Sequence, residues 1–436
     1  MEFGIRKIMG WFLSSKEGPV IYNQEVLDTY RQYFAEENQV LLVSDPLEEE
    51  LNAFFMEDEM LTEQPGYQIY YEKNLPMQNR LIEKNIGKSR EKGAENKDDA
   101  IHRFRELVKL KKTEKETEEE NIVMKYVIIG AGGTGGILGF YMTKAGKDVT
   151  LIARNAHLAA MKEQGLTVRH LWDGTTETVQ VKAENMETYE SMIASAGEAA
   201  KPDVILVCVK GYSLDNTVPF IQKIAKKSTI VIPILNIYGT GSRLQKKLPE
   251  LLVTDGCIYV SANIEGPGVL VQHGKILRVV FGVREKSEFR EELKEIAKDF
   301  SDSGISGELS ENIRRDALEK FSYVSPIGTA GLYYHATAAD FQREGEERET
   351  FKAMIREIMA LADAMGVPFE KDYVKVNLEI LSHLAPESTT SMQRDVMDGK
   401  QSEIDGLVYE VVRMGEEYHV PTPEYKKIAE KLKTTI

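Results

Sequence analysis

A glycine-rich segment, GAGGTG at residues 130–135, has the spacing GxGxxG and lies between an apolar run, KYVIIG, and a helical pattern. In this context the first glycine permits a tight turn, the second lets the backbone approach a diphosphate, and the third allows close helix–strand packing. Free amides at a helix N-terminus favour such an anion. The segment predicts a dinucleotide site, and the alternative is a glycine turn with a purely structural role. The cofactor-binding candidates are Gly130, Gly132, Gly133, Thr134 and Gly135.

The next predicted strand, DVTLIAR, ends in Arg154, where NAD-specific sites usually carry an acidic residue that accepts the ribose hydroxyls. A guanidinium offers a planar set of donors that suits a 2′-phosphate. The missing acid favours NADP(H) as the cofactor. The alternative is a surface arginine that caps the strand.

Two polar residues follow predicted strands. Lys210 comes after DVILVCV, and Asn236 ends PILN. Ligands of open α/β sheets bind outside the carboxyl ends of the strands, so both side chains are candidates for the ligand crevice. An ordinary strand-end lysine and a turn asparagine are the alternatives.

Three further candidates lie in the carboxyl-terminal part of the chain. Lys320 belongs to a helical stretch, and on periodicity alone it forms an i,i+4 surface pair with Asp316. Ser391 could simply begin a helix, and Glu403 could simply favour a first helical turn.

The surrounding pattern predicts an α/β fold, a Rossmann-type dinucleotide-binding domain followed by an all-helical domain. The apolar runs KYVIIG, DVTLIAR, DVILVCVK and STIVIPILN alternate with helical patterns, which is typical of a parallel sheet covered on both faces. LTVRHL, ETVQVKA and the runs from Cys257 to Phe281 predict added antiparallel strands. We place this domain at 124–305 and the helical substrate domain at 306–436, where ERETFKAMIREIMALADAMGV is the clearest helix. A cleft between the domains would bring cofactor and substrate together.

The amino-terminal extension has a different character. Residues 1–83 predict a small module with a helix in QEVLDTYRQYFAEEN, a strand in QVLLVSD, a second helix after Asp45-Pro46 and a strand in GYQIYYE. Residues 84–123 predict a charged, solvated linker. A partner-binding module, an oligomerisation element and a tolerated fusion remain open for residues 1–123.

The composition narrows the classes of function. A net charge of −15 argues against a nucleic-acid partner. No stretch approaches the ~20 apolar residues of a membrane span. Cys208 and Cys257 are far apart and predict buried, reduced residues, so we expect a cytoplasmic protein. His273 and the other histidines lack metal-binding spacing, and we predict no metal site.

The order of these segments resembles the ketopantoate reductase (2-dehydropantoate 2-reductase) family. The matching segments are IIGAGGTGG, LIARNAHLAAMKEQGL, VILVCVKGY, PILNIYG, NIEGPGVLVQHG, the lysine-bearing helix and SMQRDVMDGKQSEIDGLVYEVVRMGEEYHVPTP. The last is the most specific. The resemblance covers essentially all of 124–436 and none of 1–123.

The resemblance implies a role for each candidate. Lys320 would protonate the carbonyl oxygen that becomes the hydroxyl, and Glu403 would hydrogen-bond the substrate and set that lysine's environment. Ser391 would contact the polar end of the substrate. Asn236 and Lys210 would lie near the nicotinamide, and Arg154 would hold the 2′-phosphate. The implied activity is reduction of 2-dehydropantoate to pantoate with NADPH, in pantothenate biosynthesis, with a homodimer left open as the assembly.

The chain departs from the family pattern at two positions. Val324 and Gly328 stand where the family commonly has asparagines that contact substrate. Because losing two amide partners changes what a pocket can hydrogen-bond, another 2-oxo acid or carbonyl substrate stays open. A non-catalytic NADP-sensing regulator is a third hypothesis, although Lys320, Ser391 and Glu403 argue against it, since a sensor needs no proton donor.

Overall fold

The computed structural model describes residues 123–435 and four short backbone segments nearer the amino terminus, 10–14, 40–45, 50–57 and 60–63. The chain divides into two compact units, Met1–Glu118 and Glu119–Ile436.

The first unit contains a four-stranded sheet. Its strands are β1 (Gly10–Ser14), β2 (Val40–Asp45), β3 (Glu50–Glu57) and β4 (Met60–Glu63), in that spatial order. β1 pairs with β2 in parallel, and the other pairs are antiparallel.

This sheet tests two predictions for the extension. The strand predicted in QVLLVSD is confirmed by β2. The helix predicted after Asp45-Pro46 is wrong, because Leu51 and Phe54 lie in β3, which pairs with β2. Pairing with a neighbouring strand has overridden the local helix signal. The helix and strand predicted in QEVLDTYRQYFAEEN and GYQIYYE, and the charged linker, lie outside the described residues.

The second unit is built on a six-stranded parallel sheet. Its strands are β5 (Lys125–Ile129), β6 (Asp148–Ile152), β9 (Lys182–Glu184), β10 (Val204–Val207), β11 (Ile230–Pro233) and β12 (Leu252–Val253). Their spatial order is β12-β11-β10-β5-β6-β9. The four apolar runs predicted as parallel strands are confirmed as β5, β6, β10 and β11.

Helices cover both faces of this sheet. They are α1 (Gly133–Lys144), α2 (Asn155–Gln164), α3 (Met186–Ala196), α4 (Val218–Ile224), α5 (Thr240–Lys247) and α6 (Glu292–Asp302). Tyr126 and Ile128 of β5 pack into the core that holds α1, whereas Val127 and Ile129 pack into the opposite core with α3 and α4. Because successive strand side chains point to opposite faces, a strand buried on both faces must be apolar throughout.

Two smaller sheets complete this domain. Their strands are β7 (Leu166–His170), β8 (Thr176–Val179), β13 (Asp255–Tyr259), β14 (Ala262–Gly266), β15 (Val269–Gln272), β16 (Arg278–Gly282) and β17 (Ser306–Leu309). One sheet has the order β14-β15-β7-β8 and the other β13-β16-β17.

The structure corrects two predictions here. The segment ETVQVKA is not one added strand, because β8 pairs antiparallel with β7 while β9 joins the main sheet parallel to β6. The helical pattern does not start at 306, because β17 extends the sheet beside β16. In both cases an edge strand takes its partner from a distant part of the chain, which local periodicity does not encode.

The rest of the unit is helical. Its helices are α7 (Ile313–Tyr334), α8 (Ala338–Gln342), α9 (Glu346–Ala364), α10 (Tyr373–Ser382), α11 (Ser391–Met397), α12 (Glu410–Glu417) and α13 (Pro423–Thr435). A π-helical turn at Asp405–Tyr409 leads into α12. The apolar stripe predicted for α9 is fully buried, at Phe351, Met354, Ile355, Ile358, Leu361 and Ala362.

Helix α7 runs through this domain despite a proline in its interior. Pro326 has no N–H, so the carbonyl of Ser322 loses its partner within the helix. The buried Asn377 of α10 donates to that carbonyl at 3.0 Å. The side chain replaces the missing helical bond and keeps α7 continuous. In the part of the chain that the structure describes, no helix is long and apolar enough to cross a membrane.

Candidate active site

The glycine loop between β5 and α1 meets the geometric demands predicted for it. Gly130 has φ +101°, which favours glycine, and a Cβ there would lie 2.8 Å from the Cys208 carbonyl oxygen. A Cβ on Gly135 would lie 2.0 Å from the Gly130 carbonyl oxygen. By contrast, a Cβ on Gly132 would meet nothing within 4 Å. The loop is therefore closed towards the sheet and open at Gly132, where α1 begins and its first amides lack helical partners.

Arg154 lies two residues beyond β6 and is the N-cap residue of α2. Its side chain is exposed and, among the residues that the structure describes, makes no hydrogen bond or ion pair. A guanidinium without a partner next to the glycine loop fits a 2′-phosphate.

Lys320 and Asn236 meet between the sheet domain and the helical domain. The ammonium of Lys320, on α7, donates to Oδ1 of Asn236, after β11, at 2.6 Å. Lys320 is 8% exposed, so the predicted surface pair with Asp316 does not form. Asp316 instead accepts hydrogen bonds from Ser310 and Arg315.

A second cluster surrounds Lys210. Its ammonium contacts Asp395 on α11 at 2.9 Å and Glu403 at 3.3 Å. Glu403 is 4% exposed and also accepts the backbone N–H of Gly211 at 2.9 Å. This cluster ties the carboxyl end of β10 to the helical domain.

The two lysines differ in electrostatics. Burial lowers the pKa of Lys320 below its ordinary value, and the nearby Cys257 and Glu403 only partly oppose it. Burial also acts to lower the pKa of Lys210, but Glu403 and Asp395 outweigh it and hold the pKa above its ordinary value. Lys320 is therefore the lysine that releases its proton more readily, whereas Lys210 is held as a cation by its two carboxylates.

Ser391 is the first residue of α11, directly after the N-cap Thr390. The helix start packs on α7, since a Cβ on Gly328 would lie 3.1 Å from Cε of Met392 and 3.6 Å from Oγ1 of Thr390. Ser391 is half-buried and makes no hydrogen bond to Lys320 or Glu403. The structure thus joins four of the candidates in two pairs, Lys320 with Asn236 and Lys210 with Glu403, and Ser391 bonds to neither pair.

Two neighbours of the candidates were not identified from the sequence. Asp395 holds Lys210, and it could have been found because it lies one helical turn after Ser391. Cys257 lines the small cavity next to Lys320 and Asn236. Burial raises the pKa of its thiol to about 11, so the thiol is neutral there. No local pattern marks Cys257, because strand β13 comes from a distant part of the chain.

A parallel sheet with an open glycine loop, facing a helical domain that contributes a buried lysine, defines an oxidoreductase of the dinucleotide-binding α/β class. Two models of one family match the chain: "Ketopantoate reductase PanE/ApbA" over residues 126–286 and its carboxyl-terminal domain over 312–435. The chain belongs to the ketopantoate reductase PanE/ApbA family. The predicted family and fold class are confirmed, and the chain is an oxidoreductase of a family acting on 2-oxo acids.

Individual relatives are distant. The 2-dehydropantoate 2-reductase of Pyrococcus horikoshii is 25% identical over 308 residues, covering 69% of this chain and 93% of the relative. The crystal structure of a PanE/ApbA family ketopantoate reductase from Ralstonia eutropha JMP134 has a TM-score of 0.63 at 24% identity, covering 71% of this chain and 98% of the other. A ternary structure of D-mandelate dehydrogenase with NADH and anilino(oxo)acetate has a TM-score of 0.61 at 22% identity, covering 70% and 96%.

Proposed function

We propose that this protein reduces 2-dehydropantoate to pantoate with NADPH, a step of pantothenate biosynthesis. The observation that carries the proposal is the buried Lys320, held by Asn236 at 2.6 Å beside the small cavity that both residues line. A buried ammonium with a lowered pKa is suited to protonate the oxygen of a ketone as it is reduced.

The cofactor assignment rests on the glycine loop and on Arg154. The loop residues Gly130, Gly132, Gly133, Thr134 and Gly135 would bind the diphosphate, and Arg154 the 2′-phosphate. When bound, the nicotinamide would supply the hydride, while the protein would position the reactants and provide the electrostatic environment. The exposed, unpaired Arg154 supports NADPH over NADH, although the D-mandelate dehydrogenase structure is a complex with NADH.

The remaining residues would hold the reactants. Lys320 would stabilise the charge that develops on the carbonyl oxygen and then transfer its proton there. Asn236 would orient Lys320. Lys210 would hold the Glu403 carboxylate in place as a hydrogen-bond acceptor for the substrate, and Ser391 would contact the substrate's polar end.

A second substrate class is favoured by the helix face beyond Lys320. Val324 lies one helical turn further along α7, and Gly328 two turns, where Met392 occupies the nearby space. At these two positions the face offers the hydrocarbon of Val324 and Met392 and the hydroxyl of Thr390, but no asparagine amide. A branched 2-oxo acid without a hydroxyl, such as 3,3-dimethyl-2-oxobutanoate, is therefore the alternative substrate.

The first test is NADPH oxidation by the full-length protein with each of these acids, which differ by one hydroxyl. A pocket that hydrogen-bonds the hydroxyl would prefer 2-dehydropantoate by roughly 10⁴-fold or more, whereas an apolar pocket would discriminate by no more than about 10²-fold. Lys320→Ala should lower kcat by roughly 10²- to 10⁴-fold. Lys298→Ala, at an exposed position of α6, is the control and should leave kcat unchanged.

Turnover of either acid would remove the regulator hypothesis. Tight NADPH binding without turnover of any 2-oxo acid would instead support it and contradict the proposed reduction.

We further propose a homodimer, a cytoplasmic location and a partner-binding or assembly role for residues 1–123. A solved structure of a dimeric ketopantoate reductase from Staphylococcus aureus, 20% identical to this chain, supports the homodimer, and analytical ultracentrifugation would measure it.

A further inference from the structure

His157 of α2 bonds to backbone groups from two distant segments. Its Nε2 lies 2.9 Å from the carbonyl oxygen of Ala131, and the N–H of Gly268 donates to its Nδ1 at 2.9 Å. Because Nδ1 accepts an N–H, the proton of the ring resides on Nε2, which donates to Ala131. The ring is thus a neutral donor–acceptor bridge between the glycine loop and the turn at Gly268.

The bond to Ala131 fixes the direction of one peptide group of the loop. In a planar trans peptide, the carbonyl and the following N–H point in opposite directions. Since the Ala131 carbonyl points to His157, the N–H of Gly132 points away from it. Gly132 is also the loop residue whose added Cβ would meet open space. A flipped peptide would present a carbonyl where the loop must present a donor.

The bond to Gly268 fixes the β14–β15 hairpin that lies beside the glycine loop. Gly268 lies in the turn between β14 and β15, has φ +73° and approaches α2, since a Cβ there would lie 3.0 Å from Cβ of Ala160. At the start of β14, the Ala262 carbonyl oxygen lies against the loop, 2.4 Å from where a Gly133 Cβ would be. His157 therefore joins the loop, α2 and this hairpin at one point.

We propose that His157 is a positioning residue for the diphosphate of the cofactor: it holds the Ala131–Gly132 peptide with its N–H facing the anion. This rests on the proposed NADP(H) function. His157 touches no reacting atom and acts through the backbone of the loop. Arg154, on the same helix, recognises a different part of the cofactor, the 2′-phosphate, so the two roles are separable.

The test compares two ligands on five full-length proteins: unaltered, His157→Ala, His157→Gln, His157→Asn and Arg154→Ala. NADPH carries the diphosphate, and 2′-AMP carries the 2′-phosphate without it. Titration calorimetry measures both dissociation constants. We expect His157→Ala to bind NADPH roughly 5- to 30-fold more weakly, as for one or two lost hydrogen bonds, and 2′-AMP equally well. Arg154→Ala should weaken both ligands.

The two amide variants separate the two hydrogen bonds. A glutamine amide reaches as far as Nε2 and should restore NADPH binding through Ala131. An asparagine reaches only as far as Nδ1 and should resemble the alanine variant. The comparison of His157→Gln with His157→Asn therefore tests the bond to Ala131 even if His157→Ala does not fold.

Equal weakening of both ligands, or unchanged NADPH binding in the alanine and asparagine variants, would overturn the role of His157. Failure of the unaltered protein to bind NADPH would overturn the cofactor assignment itself, and the His157 proposal with it. Since binding is measured without turnover, neither result depends on the identity of the substrate.

Discussion

Lys320 and Asn236 are 84 positions apart in the chain, yet the ammonium donates to the amide oxygen at 2.6 Å where the helical domain meets the sheet domain. Lys320 is buried where the two domains meet, and this burial lowers its pKa. The packing of the two domains thus both positions the proposed proton donor and lowers its pKa.

The first prediction concerns the pH dependence of kcat. Because burial lowers the pKa of Lys320, activity that needs its proton should fall as pH rises through a value below that of an ordinary lysine. Asn236→Asp places a carboxylate at the hydrogen-bonding position and should shift this fall in kcat to higher pH. Asn216→Asp, at an exposed position, is the control. If kcat of Asn236→Asp falls at the same pH as that of the unaltered protein, Lys320 is not the proton donor.

The second prediction concerns stability at the Lys210 cluster. Lys210→Met leaves the buried Glu403 next to Asp395 without its cation, so the free energy of unfolding should fall by about 1–3 kcal/mol. Urea denaturation measures the loss. Lys182→Met breaks the exposed pair with Asp148 and should cost less than about 1 kcal/mol. Adding Glu403→Gln to Lys210→Met should recover part of the loss. If the free-energy changes of the two single variants simply add in the double variant, Lys210 and Glu403 do not stabilise each other.

The third prediction concerns cofactor choice. Arg154→Ala should raise the KM for NADPH by roughly 10- to 100-fold, the effect of losing charged hydrogen bonds, and leave the KM for NADH nearly unchanged. Arg343→Ala, at an exposed arginine beyond α8, should change neither constant. Steady-state kinetics with both cofactors gives the comparison, and an equal rise for NADH would exclude recognition of the 2′-phosphate.

The fourth prediction concerns Glu357, which is buried on α9 and accepts the backbone N–H groups of Glu424 and Tyr425. Burial raises the pKa of Glu357 to about 7, and the two hydrogen bonds only partly oppose this. The folded protein therefore holds this proton more tightly than the unfolded chain does. The resulting stabilisation should be complete below about pH 4.5 and be lost as pH rises towards 7.

Glu357→Gln removes this titration. The difference in unfolding free energy between the unaltered protein and the variant should therefore fall steadily from pH 4.5 to 7, as followed by denaturant titrations. Glu292→Gln, exposed on α6, is the control with no such trend expected. A difference that is constant over this range would show that Glu357 titrates at its ordinary pKa.

The fifth prediction concerns the amino-terminal extension. Since Glu119–Ile436 forms a compact unit by itself, a chain that starts at Met124 should fold and keep the reductase activity. Thermal unfolding and NADPH oxidation of the two chains would be compared. An insoluble or inactive short chain would mean that the extension is part of the enzyme's structure.

Sequence patterns predicted the parallel sheet, the glycine loop and the buried face of α9, because each depends on residues close together in the chain. They failed where the partner of a segment decided its conformation. Leu51 and Phe54 carry a helical spacing but pair as strand β3, and β17 continues a sheet where the pattern predicted helix. Hydrogen bonds to a neighbouring strand outweighed the local preference in these places.

The sequence by itself determined the class of protein, since the loop spacing and the strand–helix alternation are local properties of the chain. It also marked Lys210 and Asn236 as candidates by their places after predicted strands. The expected roles of these two residues, and of Lys320 and Glu403, came from a resemblance. Only the tertiary structure decided that Lys320 is buried against Asn236, that Asp395 completes the Lys210 cluster, and that His157 bridges the loop and a hairpin 111 positions away. The physical reason is that burial and hydrogen-bond partners depend on which distant segments pack together, and periodicity records only which side of an element is apolar.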